Sequence, residues 1–200
     1  MTGALPPHPF KDYYGNFIGG RWVDAADGRR FDNPSPITGK VIEGEGKPAS
    51  TGPNIHVPMH LKTGHKVVLH THMPYSTALT MTSDRALDTT LSQNAMRFHG
   101  RVAVDAHYNG LALDLSEGER IARAMQGADV VFLGNHGVVV CGERIDHAYD
   151  DLYYLERACL VQVLAQSTGR PLVPVSAEIA EQVQRQTLGE RLQSELFFEA

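Results

Sequence analysis

The stretch Val67-Val68-Leu69-His70-Thr71-His72 constrains this chain more than any other. It is an apolar run with Gly64 before it and Pro74 after it, and it reads as a strand whose exit carries two histidines. Side chains alternate between faces along a strand, so His70 and His72 share a face and Thr71 points away. Two imidazoles on one face chelate a metal ion with little rearrangement; the plainer reading is two polar residues at a strand exit. His136 bears on that choice. It lies in Asn135-His136-Gly137, between two β-rich runs at residues 129–134 and 138–141. If these strands neighbour the first in one sheet, three imidazoles meet at one sheet edge. Three His ligands with an open position describe a catalytic metal site rather than a closed structural one. Zinc suits imidazole, and iron, manganese, cobalt and nickel are compatible with the same ligands.

The chain has 200 residues, enough for one domain that buries a full core without disulfides. A net charge of -5 and the absence of a long basic run argue against a nucleic-acid or anionic-membrane partner. No apolar run reaches the roughly 18 residues of a spanning helix, and Met1 to Phe10 has three prolines and no signal-like core. Cys141 and Cys159 sit in apolar surroundings and read as buried reduced thiols of a cytoplasmic protein. Histidine is the unusual count: of ten, five (His56, His60, His65, His70, His72) crowd one stretch.

Residues 1–12 read as irregular. Phe17-Ile18 and Trp22-Val23 flank Gly19-Gly20 as a hairpin, Asp27-Gly28 marks a turn, and Asn33-Pro34-Ser35-Pro36 reads as a breaker. Ser50 or Thr51 caps a helix toward Leu61 that Pro53 suits and Pro58 opposes, so a kink is expected. A short helix is expected over 75–81 and a strand over 101–104, while 91–98 is ambiguous. Asn109-Gly110 reads as a turn, and Ser116 with Glu119 as a capping box opening the next helix. From Asp146, apolar residues Ala148, Leu152, Leu155, Cys159 and Val163 recur at helical spacing to Gln166, before Gly169-Arg170-Pro171. Ser176 opens a last, polar helix, exposed or at a subunit interface.

Two resemblances enter here. Asn16-Phe17-Ile18-Gly19-Gly20-Arg21-Trp22-Val23 with 31–42 resembles the start of aldehyde dehydrogenases, over residues 16–42. Nothing later resembles that family's nucleotide-binding fold or cysteine loop, so dehydrogenase activity is not expected. Residues 41–170 resemble the class II aldolase/adducin family. The resemblance is carried by Ile55-His56, by Val68-Leu69-His70-Thr71-His72-Met73-Pro74-Tyr75-Ser76-Thr77-Ala78, by Leu133-Gly134-Asn135-His136-Gly137-Val138, and by Ala148 with residues 153–158. It implies a three-layer α/β/α domain (fold class α/β) with a central, mainly antiparallel sheet over 41–200, and an atypical segment over 1–40. It also implies a divalent metal, zinc first, held by His70, His72 and His136, with His56, Asn135 and Thr51 behind them. Members are commonly homotetramers.

Three departures bear on activity. The family's P-S-S-E carboxylate is replaced, in Pro48-Ala49-Ser50-Thr51, by Thr51, which cannot serve as a carboxylate base. No tyrosine lies between Ser76 and His107, leaving Tyr108 as the candidate there and Glu45 as a nearby carboxylate. The family's Gly-Asn phosphate loop has no counterpart, so a phosphorylated sugar is not expected as substrate. The expectation is a metal-dependent lyase (aldehyde-lyase, decarboxylase, dehydratase or epimerase) acting on a small hydroxy- or keto-carbonyl compound through a metal-stabilised enediolate. Its competitors are a non-catalytic adducin-like interaction module and a truncated fusion product that keeps the metal site.

Overall fold

The computed structural model describes residues 16–18, 21–24, 28, 30–34, 41–45 and 51–199. The expectations for 1–12, Gly19-Gly20, Asp27, 35–40 and Ser50 fall outside them. In the N-terminal part, β1 (Asn16–Ile18) and β2 (Arg21–Val23) pair antiparallel, Phe17 opposite Trp22, as a hairpin requires. β3 (Arg30–Pro34) pairs antiparallel with β4 (Val41–Glu45), Pro34 opposite Val41. Asn33-Pro34 is therefore strand rather than breaker. Among the described residues β3 pairs only with β4, so it is an edge strand, where a proline's missing N–H is tolerated.

The main sheet is built from β5 (Val67–Thr71), β6 (Val102–Asp105), β7 (Val130–Leu133) and β8 (Gly137–Gly142), in the order β5-β8-β7-β6. β7 and β8 are unbroken β-branched and aromatic runs with every residue from Val130 to Leu133 and Gly137 to Cys141 buried, the composition of strands covered on both faces. Alternation sorts their side chains onto two cores. Val130, Phe132, Val138 and Val140 meet Leu79, Phe98 and Leu155 on one face. Val131, Leu133, Val139 and Cys141 meet Ile55, Met59, Ile121 and Met125 on the other. Helices on both faces give the three-layer α/β/α domain. The sheet itself is mixed, which corrects the mainly antiparallel expectation: β5/β8 and β7/β8 are antiparallel, but β6/β7 are parallel. α4 (Leu115–Met125) carries the chain back across one face between β6 and β7, and such a crossover returns the next strand in the same direction.

α1 (Thr51–Thr63) runs through Pro58 as one helix, against the expected kink. The carbonyl that Pro58 leaves without a helical donor is that of Asn54. It lies against Gly118 of α4, where an added Cβ would come within 2.4 Å of Asn54 O, 2.8 Å of Ile55 O and 2.9 Å of the Pro58 ring. The two helix backbones touch there because Gly118 has no side chain. The side chain of Asn54 binds the Ala112 carbonyl at 2.8 Å, tying the same turn to the chain before α4. The N-cap of α4 is Asp114, accepting from Ser116 N at 2.8 Å, not the expected Ser116; either residue type caps, and the one in extended conformation prevails.

On the opposite face lie α2 (Pro74–Thr80), α3 (Gln93–Met96) and α5 (Ile145–Ser167). Glu156 of α5 accepts from Tyr75 N at 2.8 Å and Ser76 N at 2.9 Å, so it caps α2 from a distance. The last helical stretch is two helices, α6 (Ala177–Gly189) and α7 (Leu192–Glu199). Asp151 of α5 accepts from Arg97, Arg101 and Arg191 and binds the α6–α7 corner to the domain. Burial pushes the Asp151 carboxyl up, and the Arg191 and Arg101 guanidiniums override it and hold it at about 2. Among the described residues, no helix is long and apolar enough to cross a membrane.

Gly118→Ala forces a methyl into two backbone carbonyls that cannot swing aside. It is expected to lower stability by about 1–3 kcal/mol in equilibrium urea unfolding. Unchanged stability would mean that α1 and α4 separate freely.

Candidate metal centre

His70 and His72 leave β5 on one face, as strand alternation requires, and β5 lies directly beside β8, with Thr71 opposite Val138. β7 and β8 are joined by the turn 133–136, closed by His136 N to Leu133 O at 3.0 Å, and that turn presents His136. Asn135 sits in it with φ +57, a left-handed conformation that asparagine tolerates better than most residues. Its side-chain oxygen accepts from Arg85 Nη1 at 2.9 Å. Gly137 is the tightest point. A Cβ there would stand 2.4 Å from Thr71 O and 2.8 Å from the His72 ring, so only glycine lets β8 start this close to β5 and to His72.

The three imidazoles converge. Ring centroids are 5.0 Å apart for His70 and His72, 4.8 Å for His70 and His136, and 4.7 Å for His72 and His136. One ring nitrogen from each lies within 4.8 Å of the others. His70 Nδ1 is 3.0 Å from the Val138 carbonyl, which makes Nδ1 the N–H donor and leaves Nε2 a lone pair. His70 Nε2 and His72 Nε2 are 3.2 Å apart. Two nitrogens about 2.0–2.1 Å from a tetrahedral ion are about 3.3 Å apart, so the spacing matches a shared ion. At His70 and His136 the surroundings favour the neutral ring, the ligating form. Burial pushes His70 down to about 4; the Val138 carbonyl pulls the other way, and His136, His72 and His56 add to the fall. Burial, then His72, lowers His136, with Glu117 opposing and Arg120 adding. Donor set, tautomer and spacing all fit a divalent ion.

The other expected residues are less close. His56, on α1, is lowered by burial and then by His60, and its charge is felt at His70. Thr51 is the first residue of α1. Tyr108, 50% exposed, lies on the rim with its ring 5.9 Å from His136. Glu45 ends β4, and its side chain is outside the described residues. Gln93 and Asn94 line a cavity of about 500 Å³ beside α6 and α7, lined by none of the three histidines. Glu156 caps α2 at the corner just after His72. Three further charged residues, Glu117, Arg120 and Asp105, stand near His136 through a network that sequence spacing does not mark. Glu117, in the first turn of α4, is bound by Arg120, which also binds Asp105, and both Glu117 and Arg120 act on His136. Their only sequence signal is an acid in a helix's first turn with a base three residues on. A second cluster, Asp146, His147 and Glu195, is also close enough for an ion, but Arg144 binds Asp146 and lies 3.7 Å from Glu195, so a cation is already in place.

The sequence family described as Class II Aldolase and Adducin N-terminal domain matches residues 33–163. Decarboxylase NovR of Streptomyces niveus is 32% identical over 195 residues, 96% of this chain and 69% of that protein. Among solved structures, an aldolase II superfamily protein from Pseudomonas syringae is 36% identical with a TM-score of 0.66, covering 75% of this chain and 61% of that one. An L-fuculose 1-phosphate aldolase from Glaciozyma antarctica is 26% identical with a TM-score of 0.60, covering 74% and 57%. The chain thus spans about three-fifths of these solved structures. Separately, an aldehyde dehydrogenase of Deinococcus radiodurans is 59% identical over 33 residues, 16% of this chain and 6% of that enzyme.

Two outcomes follow from the geometry. Gly137→Ala should lower zinc affinity roughly 10–100-fold in a competitive chelator titration while the chain stays folded, because the methyl displaces His72. In metal-free protein, unfolded His70 takes a proton near 6.5 and folded His70 only near 4. Stability is therefore full above pH 6.5 and falls as pH drops from 6.5 toward 4. His70→Gln should flatten that part of the stability–pH curve.

Proposed function

The chain belongs to the class II aldolase and adducin family, and we propose that it is a divalent-metal-dependent lyase acting on a small hydroxy- or keto-carbonyl compound. The observation that carries this reading is the convergence of three imidazoles 4.7–5.0 Å apart at one sheet edge. His70, His72 and His136 would hold the ion, and zinc suits an all-imidazole set with an open position. Bound there, it supplies a Lewis acid that polarises a substrate oxygen and stabilises negative charge beside it. The chain's own residues do the rest. The Val138 carbonyl fixes the His70 tautomer, and Gly137 lets His72 close on the site. Tyr108 stands on the rim 5.9 Å from His136, where a phenol can hold or pass a proton to a substrate oxygen. Thr51 at the start of α1 offers no carboxylate, and Glu117 is engaged by Arg120.

The names of the relatives span decarboxylation and aldol cleavage, reactions that both break a carbon–carbon bond next to a polarised oxygen. A small-molecule lyase of that kind, working as a homo-oligomer, is the reading we adopt. Over a purely adducin-like interaction module it is favoured by the three histidines, since a structural role gives no reason to bring three imidazoles together at one edge. The domain division at about residue 40, with a dehydrogenase-like segment ahead of the lyase domain, belongs to the same proposal.

Metal analysis of purified protein tests it. Wild type grown with zinc should carry one ion per chain, His70→Ala and His136→Ala less than about a tenth of that. Wild type without stoichiometric metal after growth in zinc, iron and manganese would contradict the lyase reading.

A further inference from the structure

We propose that Arg120 is a positioning residue of the three-histidine site: through Asp105 it holds Tyr108 against His136. This rests on the metal-site reading above and adds the group that keeps the phenol in place. Asp105 is the node. It ends β6 beside Leu133 at the end of β7, and it is 4% exposed. Its backbone carbonyl accepts from Gly134 N at 2.7 Å, which ties it to the turn that presents His136. One carboxylate oxygen, Oδ1, accepts from His107 N at 3.2 Å and so directs the chain that carries Tyr108. The other, Oδ2, accepts from Arg120 Nη1. Among the described residues, Arg120 is the one cation paired with Asp105.

Arg120 is itself fixed. Its Nε donates to Glu117 Oε2 at 3.3 Å and its Nη2 to Glu117 Oε1, so the guanidinium spans two buried carboxylates with all three nitrogens engaged. A planar fork held from both sides keeps an orientation that a single point charge would not. Beyond His107, the next hydrogen bond from this loop to another element is at Ala112, whose carbonyl accepts from Asn54 at 2.8 Å. Between those ties Tyr108 is half exposed, and its hydroxyl has no hydrogen-bond partner among the described residues. Its ring still stands 5.9 Å from that of His136, so the path of the chain after Asp105 places it. Without Arg120, Asp105 is a buried charge lacking a counter-ion. Its carboxylate then turns toward water and away from His107 N. The histidines do not share this dependence. β5 places His70 and His72, and the turn with His136 is closed by His136 N on Leu133 O and by Arg85 on Asn135. Loss of Arg120 therefore separates the phenol from the site and leaves the metal ligands where they are. Misplacing such a group by about 1 Å can cost roughly 100-fold in rate.

Fluorine NMR of the chain labelled with 3-fluorotyrosine and loaded with cobalt(II) tests this, because the paramagnetic ion broadens signals close to it. Tyr108→Phe assigns the Tyr108 signal, and the other tyrosines serve as controls. In wild type the Tyr108 signal should show the largest cobalt-induced broadening. Arg120→Gln should still bind cobalt as wild type does, and its Tyr108 signal should lose most of that broadening. Arg120→Lys, whose ammonium cannot span both carboxylates, should lose part of it. A wild-type Tyr108 signal broadened no more than the other tyrosines, or a broadening unchanged in Arg120→Gln, overturns the proposal. A purely structural role would lower Tm and leave the broadening as it is. If Arg120→Gln does not fold or loses cobalt, Arg120→Lys decides: a reduced broadening supports the proposal and an unchanged one overturns it. If wild type itself takes up no cobalt, the metal reading has failed on its own. The Tyr108 signal of the metal-free chain then decides the role of Arg120. A signal that narrows and moves toward that of free 3-fluorotyrosine in Arg120→Gln, or in Arg120→Lys where the former does not fold, supports it; an unchanged position and width overturns it.

Discussion

The site depends on how closely β8 begins beside the end of β5. Thr71 lies opposite Val138, and nothing larger than a hydrogen fits on Gly137 between the Thr71 carbonyl and the His72 ring. A shift of one residue in that pairing would turn His70 and His72 to the other face and destroy the convergence. Register is pinned from both sides. Val131, Leu133, Val139 and Cys141 are committed to one core and Val130, Phe132, Val138 and Val140 to the other, so a slip would exchange two fully packed faces. The core thus sets the strand pairing, the pairing sets where the imidazoles stand, and their burial keeps His70 uncharged.

The turn 133–136 adds the third ligand by a different kind of constraint. Here packing matters less than backbone conformation and hydrogen bonding. Asn135 accepts a left-handed φ, its N–H reaches Thr80 O at 3.3 Å, and its side chain is held by Arg85. Glu156 caps α2 immediately after His72-Met73-Pro74. Both devices recruit residues distant in sequence, 50 positions for Arg85 and Asn135, 81 for Tyr75 and Glu156. The imidazoles are therefore placed by the sheet and steadied by the loops around it.

Much of this was legible in the sequence. Period-two alternation placed His70 and His72 on one face, and the β-branched runs around His136 marked two central strands. The helical repeat from Ala148 to Val163 marked α5. What escaped had physical reasons. The parallel β6/β7 pair follows from the path of α4, and strand composition does not record direction. Pro58 read alone opposes a helix, but the bare backbone of Gly118 covers the carbonyl it frees, a contact between residues 60 positions apart. Asp114 and Ser116 carry equivalent capping chemistry, and only φ and ψ decide between them. Arg85, Glu117 and Glu156 carry ordinary surface side chains in the sequence and acquire meaning only from distant partners.

X-ray absorption at the zinc edge of the loaded chain tests the central claim most directly, because it counts the imidazoles around the ion. The account predicts three nitrogen ligands at about 2.0–2.1 Å with imidazole multiple scattering, reduced to two in His72→Ala. A shell with one imidazole or none, or a spectrum unchanged in His72→Ala, would contradict it.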